Sequence, residues 1–231
     1  MQPRLLALII TFLPLIVTNL VFVISAYEGN VPWCFPYIDG CTTISAAGRS
    51  GSSIFVFRAV MIAYAVLLIW FWVYAKQWLD MLNGHPTNAA RIIIWFGIIG
   101  ALFLMVYIDF LGTEGEINRF MRRFGIIIYF AFTPFAQLLL LNQHYRLVNE
   151  ADRALPRALD MRLLRAQLAL LLVILIVAIT SVVLDYAGLK TDKIENIVEW
   201  NISLLMTMYF AVMAYLWKDF RYKLDAGNVR H

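Results

Sequence analysis

Residues 5–27 read LLALIITFLPLIVTNLVFVISAY and contain no charged side chain. A helix needs about 20 predominantly apolar residues to cross the hydrocarbon core of a bilayer. The run is also longer than the roughly 7–15 apolar residues of a signal peptide. Residues 28–30 after it form no convincing small-residue cleavage site, although Ser25-Ala26 leaves cleavage open. We therefore expect a retained first membrane span.

Five further apolar runs of similar character follow the first. Backbone groups in lipid must find their hydrogen bonds within the segment, which favours helices, and the alternating pattern of a membrane β-barrel is absent. The sequence predicts an all-α fold in which residues 1–231 form a single six-helix transmembrane domain. The further spans are expected at residues 54–74, 92–111, 124–141, 166–186 and 198–217.

The overall composition agrees with a membrane protein and excludes several other classes. Of 231 residues, 62% are hydrophobic and 15% are charged, against about 25% charged in an ordinary globular chain. The net charge is +4, but the basic residues lie at the ends of apolar runs and form no arm or groove for nucleic acid. No metal-spaced histidines and no phosphate-binding loop are present, so we expect no metal and no cofactor.

The Lys and Arg residues predict how the chain is oriented. With the N-terminus in the cytoplasm, twelve of them lie on the cytoplasmic side and seven on the other side, which follows the positive-inside rule. Both termini are then cytoplasmic. The twelve are Arg4, Lys76, Arg91, Arg146, Arg153, Arg157, Arg162, Arg165, Lys218, Arg221, Lys223 and Arg230, and the seven are Arg49, Arg58, Arg119, Arg122, Arg123, Lys190 and Lys193.

The longest loop, residues 28–53, is predicted to be extracytoplasmic and holds both cysteines. Cys34 and Cys41 are separated by six residues that include Pro36 and Gly40, which can turn the chain. An oxidising compartment favours a disulfide between them, and two free thiols are the alternative. Two thiols without neighbouring histidines supply too few ligands for zinc.

Charged residues near lipid are costly and are therefore candidate functional residues. Arginine suits phosphate because of its planar fork, so a lipid head group could bind here; pairing of the charges across the bundle is the alternative. Six such residues lie at the outer ends of the predicted spans, namely Arg58, Asp109, Arg122, Arg123, Asp185 and Glu199.

Neutral polar residues extend this pattern into the spans. Glu199, Ser203 and Thr207 lie on one face of the sixth span, Tyr129, Thr133 and Gln137 on one face of the fourth, and Ser181 lies one turn from Asp185. They predict a polar-lined cavity that opens toward the outer leaflet. The alternative is that they form hydrogen bonds between helices, which contribute about 0.6 kcal/mol per contact. Gly97 and Gly100 are expected to allow close helix packing.

Two stretches resemble a known family. Residues 35–40 read FPYIDG and residues 50–55 read SGSSIF, which resembles the Pro-Tyr-Ile-Ser-Asp signature of the damage-regulated autophagy modulators. Glu199-Trp200, followed by KDF at 218–220, is similar to the family's Glu-Trp … Lys-Glu-Phe ending. The superfamily also includes the GPI-anchor lipid-remodelling factors and a yeast suppressor of four-kinase loss, and it has six spans.

The resemblance implies handling or sensing of membrane lipids. Its matched residues, Asp39, Glu199 and Trp200, become candidate head-group contacts or contacts that hold the first loop against the sixth span. The chain departs from the family where Ser52-Ser53 replaces a common Pro-Glu. Its short loops suit a bacterial relative, so a bacterial inner membrane is expected, with a plasma membrane or endomembrane in a eukaryotic cell as the alternative.

Three functions remain open at the level of the sequence. The first is a lipid-binding protein that takes a phospholipid or glycolipid. The second is a lipid-remodelling enzyme with Glu199 or Asp39 as general base and Ser203 as a weak candidate nucleophile. The third is a scaffold for a partner protein or a homo-oligomer. In the first, phosphate would be held by Arg58, Arg122 and Arg123, hydroxyl or amine groups by Asp39, Asp109, Asp185 and Glu199, and Trp200 would complete the site.

Overall fold

The computed structural model describes residues 1–149, 159–218 and 220. Throughout this part of the chain the regular structure is helical, with no strand. Six helices are long and apolar enough to cross a membrane, which confirms the predicted fold class. They are α1 (Pro3–Tyr27), α4 (Ser53–Asn83), α5 (Asn88–Asp109), α6 (Glu116–Asn149), α7 (Met161–Tyr186) and α8 (Asp192–Leu216), and two short helices, α2 (Pro36–Asp39) and α3 (Ile44–Ala47), lie between α1 and α4.

Most of the long helices extend beyond the predicted apolar runs. The largest extension is at the C-terminal end of α4, where nine residues after Tyr74 continue the helix to Asn83. Lys76 and Asp80 form an ion pair of 2.5 Å there, four residues apart on one helical face. Charged residues lower the local hydropathy, but the helix continues, because opposite charges four residues apart stabilise helical turns.

The six long helices form an almost closed ring. Going around it, α6 packs on α5, α5 on α4, α4 on α1, α1 on α8, and α8 on α7. Contact between α7 and α6, which would close the ring, is much less extensive, and α7 is the least buried of the six. The ring therefore has an open seam between α6 and α7.

Two glycines allow α5 to approach its neighbours closely. A Cβ atom on Gly97 would lie 2.2 Å from the ring of Trp72 on α4. A Cβ on Gly100 would lie 2.9 Å from the hydroxyl of Thr133 on α6. Small residues are used in this way at membrane helix interfaces, so α5 sits tightly between α4 and α6.

The first loop, residues 28–52, covers one end of the ring. This end also holds the α5–α6 and α7–α8 connections, and we call it the loop end. Cys34 and Cys41 form the expected disulfide, with their Cα atoms 6.5 Å apart. The disulfide closes the segment that contains α2.

An aromatic cluster fills the interior at the opposite end. Phe71 packs on Phe210 and Trp217, each with ring centroids 4.8 Å apart. Phe220, from the KDF ending, packs on Trp78 at 5.2 Å. Within that ending Asp219 lies outside the described residues. The same holds for five basic residues named above, Arg153, Arg157, Arg221, Lys223 and Arg230.

Candidate functional site

The N-terminal half of α8 holds the first loop in place through its backbone. The indole Nε1 of Trp200 donates to the carbonyl oxygen of Thr42 at 2.9 Å. The amide of Asn196 donates to the Gly40 carbonyl at 2.8 Å, and the amide of Asn201 donates to the Tyr37 carbonyl at 2.9 Å. These three bonds satisfy backbone carbonyl oxygens of the loop.

Glu199 lies between Asn196 and Trp200 and contacts the same loop. The backbone N–H of Ser45 donates to its Oε1 at 3.4 Å, and the N–H of Ile44 also donates to the carboxylate. Both donors are the free N–H groups of the first turn of α3, which favour a negative charge. Since a carboxylate has about four acceptor positions, it retains capacity for further hydrogen bonds.

A small cavity of about 30 Å³ lies beside Glu199, and we call it the Glu199 cavity. It is partly open and is lined by residues of α1, α3, α4, α5, α6 and α8. By volume it has room for about one or two water molecules and is too small for a lipid head group. Its polar lining consists of Thr18, Tyr107, Tyr129, Glu199, Ser203 and Thr207.

A much larger space lies on the other side of Glu199, at the seam between α6 and α7. A space of about 560 Å³ at the loop end shares Ala131, Ile174 and Ala178 with one of about 270 Å³ farther along the seam. We call the two together the α6–α7 groove. The farther part is lined only by apolar side chains and Pro134. The groove is therefore a continuous apolar channel on the surface that faces lipid.

Charged groups are concentrated where the groove reaches the loop end. Lys190 and Glu195 both line it there, and their side chains form an ion pair of 3.5 Å. Glu199 lines the groove one turn deeper on α8. Arg122 and Arg123 lie one turn closer to the loop end than Ile126 and Ile127, which form the groove wall on α6.

Other predicted site residues lie away from this groove. Arg58 donates from Nη2 to the backbone carbonyl of Asp109 at 3.2 Å and to that of Leu111. It thereby satisfies carbonyls at the C-terminal end of α5. The side chain of Asp109 is exposed at that helix end, and Asp185 is exposed at the end of α7. Their proposed role with head groups stays a prediction.

Asp39 has a local partner within the first loop. Its Oδ2 accepts a hydrogen bond of 2.7 Å from the backbone N–H of Phe35, the residue that precedes α2. The side chain is exposed. This bond helps to hold the turn that contains the disulfide, and the structure places the carboxylate away from the lining of the groove.

Glu28 ties the two ends of the first loop together. Its carboxylate accepts from the backbone N–H of Ser52 at 3.0 and 3.2 Å and from the Asn30 amide at 3.1 Å. Hydrogen bonds from the side chain and backbone of Ser52 are the main reason that the pKa of Glu28 lies below its ordinary value of 4.5. The ionised carboxylate thus favours the closed loop.

The sequence patterns did not identify four residues that matter to this site. Asn196 and Asn201 donate hydrogen bonds to the first loop. Lys190 and Glu195 lie where the groove reaches the loop end, which we call the mouth of the groove. The asparagines flank Glu199-Trp200 in the sequence, and two amide side chains beside an acidic residue at a span end could have indicated them. The groove mouth was not predictable, because it depends on how far α7 stands from α6.

The chain is similar over nearly its full length to one known protein family. The family model of the Frag1/DRAM/Sfk1/Cwh43P N-terminal domain matches residues 3–221, which is nearly the full length. The chain belongs to this family. No curated protein and no solved structure matched the chain. Membership together with the six apolar helices makes this chain an integral membrane protein.

The resemblance noted in the sequence is confirmed by this match, and the structure shows what its motif residues contact. Tyr37 in the first motif and Trp200 in the second have ring centroids 5.1 Å apart. Phe22 of α1 packs on the other edge of Trp200 at 6.1 Å. In this family member, the two motifs therefore meet at the junction of the first loop, α1 and α8.

Proposed function

We propose that this family member binds a phospholipid or glycolipid, with one acyl chain in the α6–α7 groove and the head group at the loop end. The observation that carries the proposal is the continuous apolar groove with Lys190, Glu195 and Glu199 at one end only. An amphiphilic ligand matches a groove that is apolar along its length and charged at one end, because ligand sites combine an apolar lining with a few polar groups that fix orientation.

The dimensions of the groove fit a single acyl chain. On α6 its lining runs from Ile126 to Leu138, and on α7 from Val182 to Leu168. At 1.5 Å per residue these distances are about 18 and 21 Å. One leaflet of a bilayer core is about 15 Å deep. A chain that lies in the groove could therefore remain parallel to the lipids of its own leaflet.

The charges at the mouth suggest what kind of head group binds. Lys190 can attract a phosphate, and Arg122 and Arg123 lie close enough along α6 for their long side chains to reach the same region. Glu195 and Glu199 can accept hydrogen bonds from hydroxyl or amine groups. Under the predicted orientation this mouth lies in the outer leaflet, so the ligand would be an outer-leaflet lipid.

Native mass spectrometry with lipid extraction tests the proposal. The groove-filling variant is Ala178→Trp, and the matched control is Ala63→Trp, at an exposed position on α4 outside the groove. We expect one lipid class to remain on the wild type and on the control, and to be lost from Ala178→Trp. If all three proteins carry the same bulk mixture of lipids, the groove is not a binding site.

A further inference from the structure

Glu199 forms part of the wall between two spaces of opposite character. On one side is the α6–α7 groove, and on the other is the Glu199 cavity. Ser203 and Thr207 line only the cavity, whereas Val198 and Ile202 line only the groove. A single carboxylate therefore faces both an apolar channel and a pocket with room for water.

The polar groups around the cavity can form hydrogen bonds to water. Tyr107 and Tyr129 line the cavity and are buried, so two phenol groups lie at its wall. Buried waters usually make about three hydrogen bonds to such groups. Glu199 can accept one of them from a water O–H.

The depth of Glu199 matches the position of an acyl ester. Lys190 and Glu195 mark the mouth, and Glu199 follows Glu195 by one turn, or about 6 Å along α8. In a glycerophospholipid the ester carbonyls lie just below the phosphate, on the side of the acyl chains. A phosphate at Lys190 would therefore bring an ester carbonyl to the level of Glu199.

We propose that the chain hydrolyses an acyl ester of the lipid in the groove, with Glu199 as general base for a water molecule in the Glu199 cavity. This inference rests on the proposed binding of lipid in the groove. A carboxylate within reach of both a water and an ester is the arrangement that general-base catalysis requires.

The step balances with water as the only co-reactant. Glu199 removes a proton from water, and the water oxygen forms a bond to the ester carbonyl carbon. The C–O bond to the glycerol oxygen then breaks, and that oxygen takes the proton from Glu199. The products are a free fatty acid and a lysolipid, and the Glu199 carboxylate is regenerated.

Ser181 is placed to orient the carbonyl. It lines the groove on α7, about five residues before the helix ends, while Glu199 lies seven residues into α8. The two side chains are thus at depths of about 8 and 10 Å from the loop ends of their helices. The Ser181 hydroxyl can donate to the carbonyl oxygen as negative charge develops there.

The test uses the full chain in vesicles of phosphatidylglycerol and phosphatidylethanolamine. Lysolipid and fatty-acid release is measured by mass spectrometry in water enriched in ¹⁸O, and bound lipid is measured on the same samples. The variant is Glu199→Gln, and the matched control is Asp192→Asn, an exposed carboxylate on the same helix outside both spaces.

We expect wild type and Asp192→Asn to release fatty acid that carries one ¹⁸O. Glu199→Gln should keep its bound lipid, because its amide oxygen still accepts hydrogen bonds. It should lose at least about 100-fold in rate, since a general base contributes 10²–10⁴-fold. Recovery of an acyl group bound to Ser203 of the wild type would overturn the role of water as the attacking group.

Two further outcomes separate this inference from the proposed function. If lipid binds to the wild type and stays intact, hydrolysis is refuted and lipid binding stands. If no lipid class is retained and no product forms, both are refuted. Equal turnover by Glu199→Gln and wild type would exclude Glu199 as the base.

Discussion

Trp200 Nε1 donates a hydrogen bond of 2.9 Å to the carbonyl oxygen of Thr42, and both residues are buried. This bond joins the start of α8 to a loop more than 150 positions earlier in the sequence. Together with the neighbouring Glu199 contact, it fixes the wall of the Glu199 cavity. The attachment of the first loop is therefore part of the candidate site.

Removing this hydrogen bond should loosen the loop. In Trp200→Phe the ring contacts with Phe22 and Tyr37 can largely remain, but the buried Thr42 carbonyl loses its donor. An unsatisfied buried acceptor costs about 1–3 kcal/mol. We expect a lower unfolding temperature in detergent, measured by intrinsic fluorescence. Trp33→Phe, at a position that is 64% exposed, is the control and should leave it unchanged; an equal decrease would contradict the account.

Gly40 should tolerate no side chain. Its φ is +59°, and a Cβ would lie 2.3 Å from the Lys193 carbonyl oxygen at the start of α8. Gly188 has a similar φ of +68° with no atom within 4 Å, so Gly188→Ala carries only the conformational cost of about 1–2 kcal/mol. We expect Gly40→Ala to lower the unfolding temperature clearly more than Gly188→Ala. Equal decreases would show that the loop does not pack on α8 as described.

The disulfide should stabilise the first loop. A closed ring that runs from Cys34 to Cys41 lowers the entropy of the unfolded chain by an amount worth about 2–3 kcal/mol. Replacing both cysteines with serine should increase hydrogen exchange in residues 35–45, and reductant should have the same effect on the wild type. Reductant should not change the exchange of the serine variant, which serves as the control.

Lowering the pH should open the junction of residues 28 and 52. Hydrogen bonds from Ser52 hold the pKa of Glu28 below 4.5. A depressed carboxyl pKa contributes stability that is present above the unfolded value and is lost as the pH falls through the folded value. When the pH falls from 5 to 3, the unfolding temperature of the wild type should decrease more than that of Glu28→Gln. If the unfolding temperatures of the two proteins fell in parallel, the ionised Glu28 carboxylate would not stabilise the loop.

Much of the fold was predictable from local composition. A helix that crosses lipid must be long and apolar, so hydropathy alone located all six. The family model that matches residues 3–221 agrees with the two sequence motifs in the first loop and at the start of α8. The positions of the helix ends were predicted less accurately, because residues such as Lys76 and Asp80 lower the hydropathy while the helix continues. The predicted orientation, with both termini in the cytoplasm, stays a prediction.

The candidate site was predictable only in part. Glu199, Ser203 and Thr207 were placed on one helical face by their spacing, and they line one cavity in the structure. The sequence could not show that Arg58 reaches backbone carbonyls of α5. That contact depends on tertiary packing, as does the seam between α6 and α7.

The central claim is that a lipid acyl chain occupies the α6–α7 groove. Photo-crosslinking with a phospholipid that carries a diazirine near the middle of one acyl chain tests it directly, with peptides mapped by mass spectrometry. We predict labelling concentrated at groove residues such as Ala131, Phe135 and Leu175, and loss of it in Ala178→Trp. Equal labelling of exposed residues on α4, such as Phe55 and Ile62, would mean that only bulk lipid contacts the chain and would contradict the account.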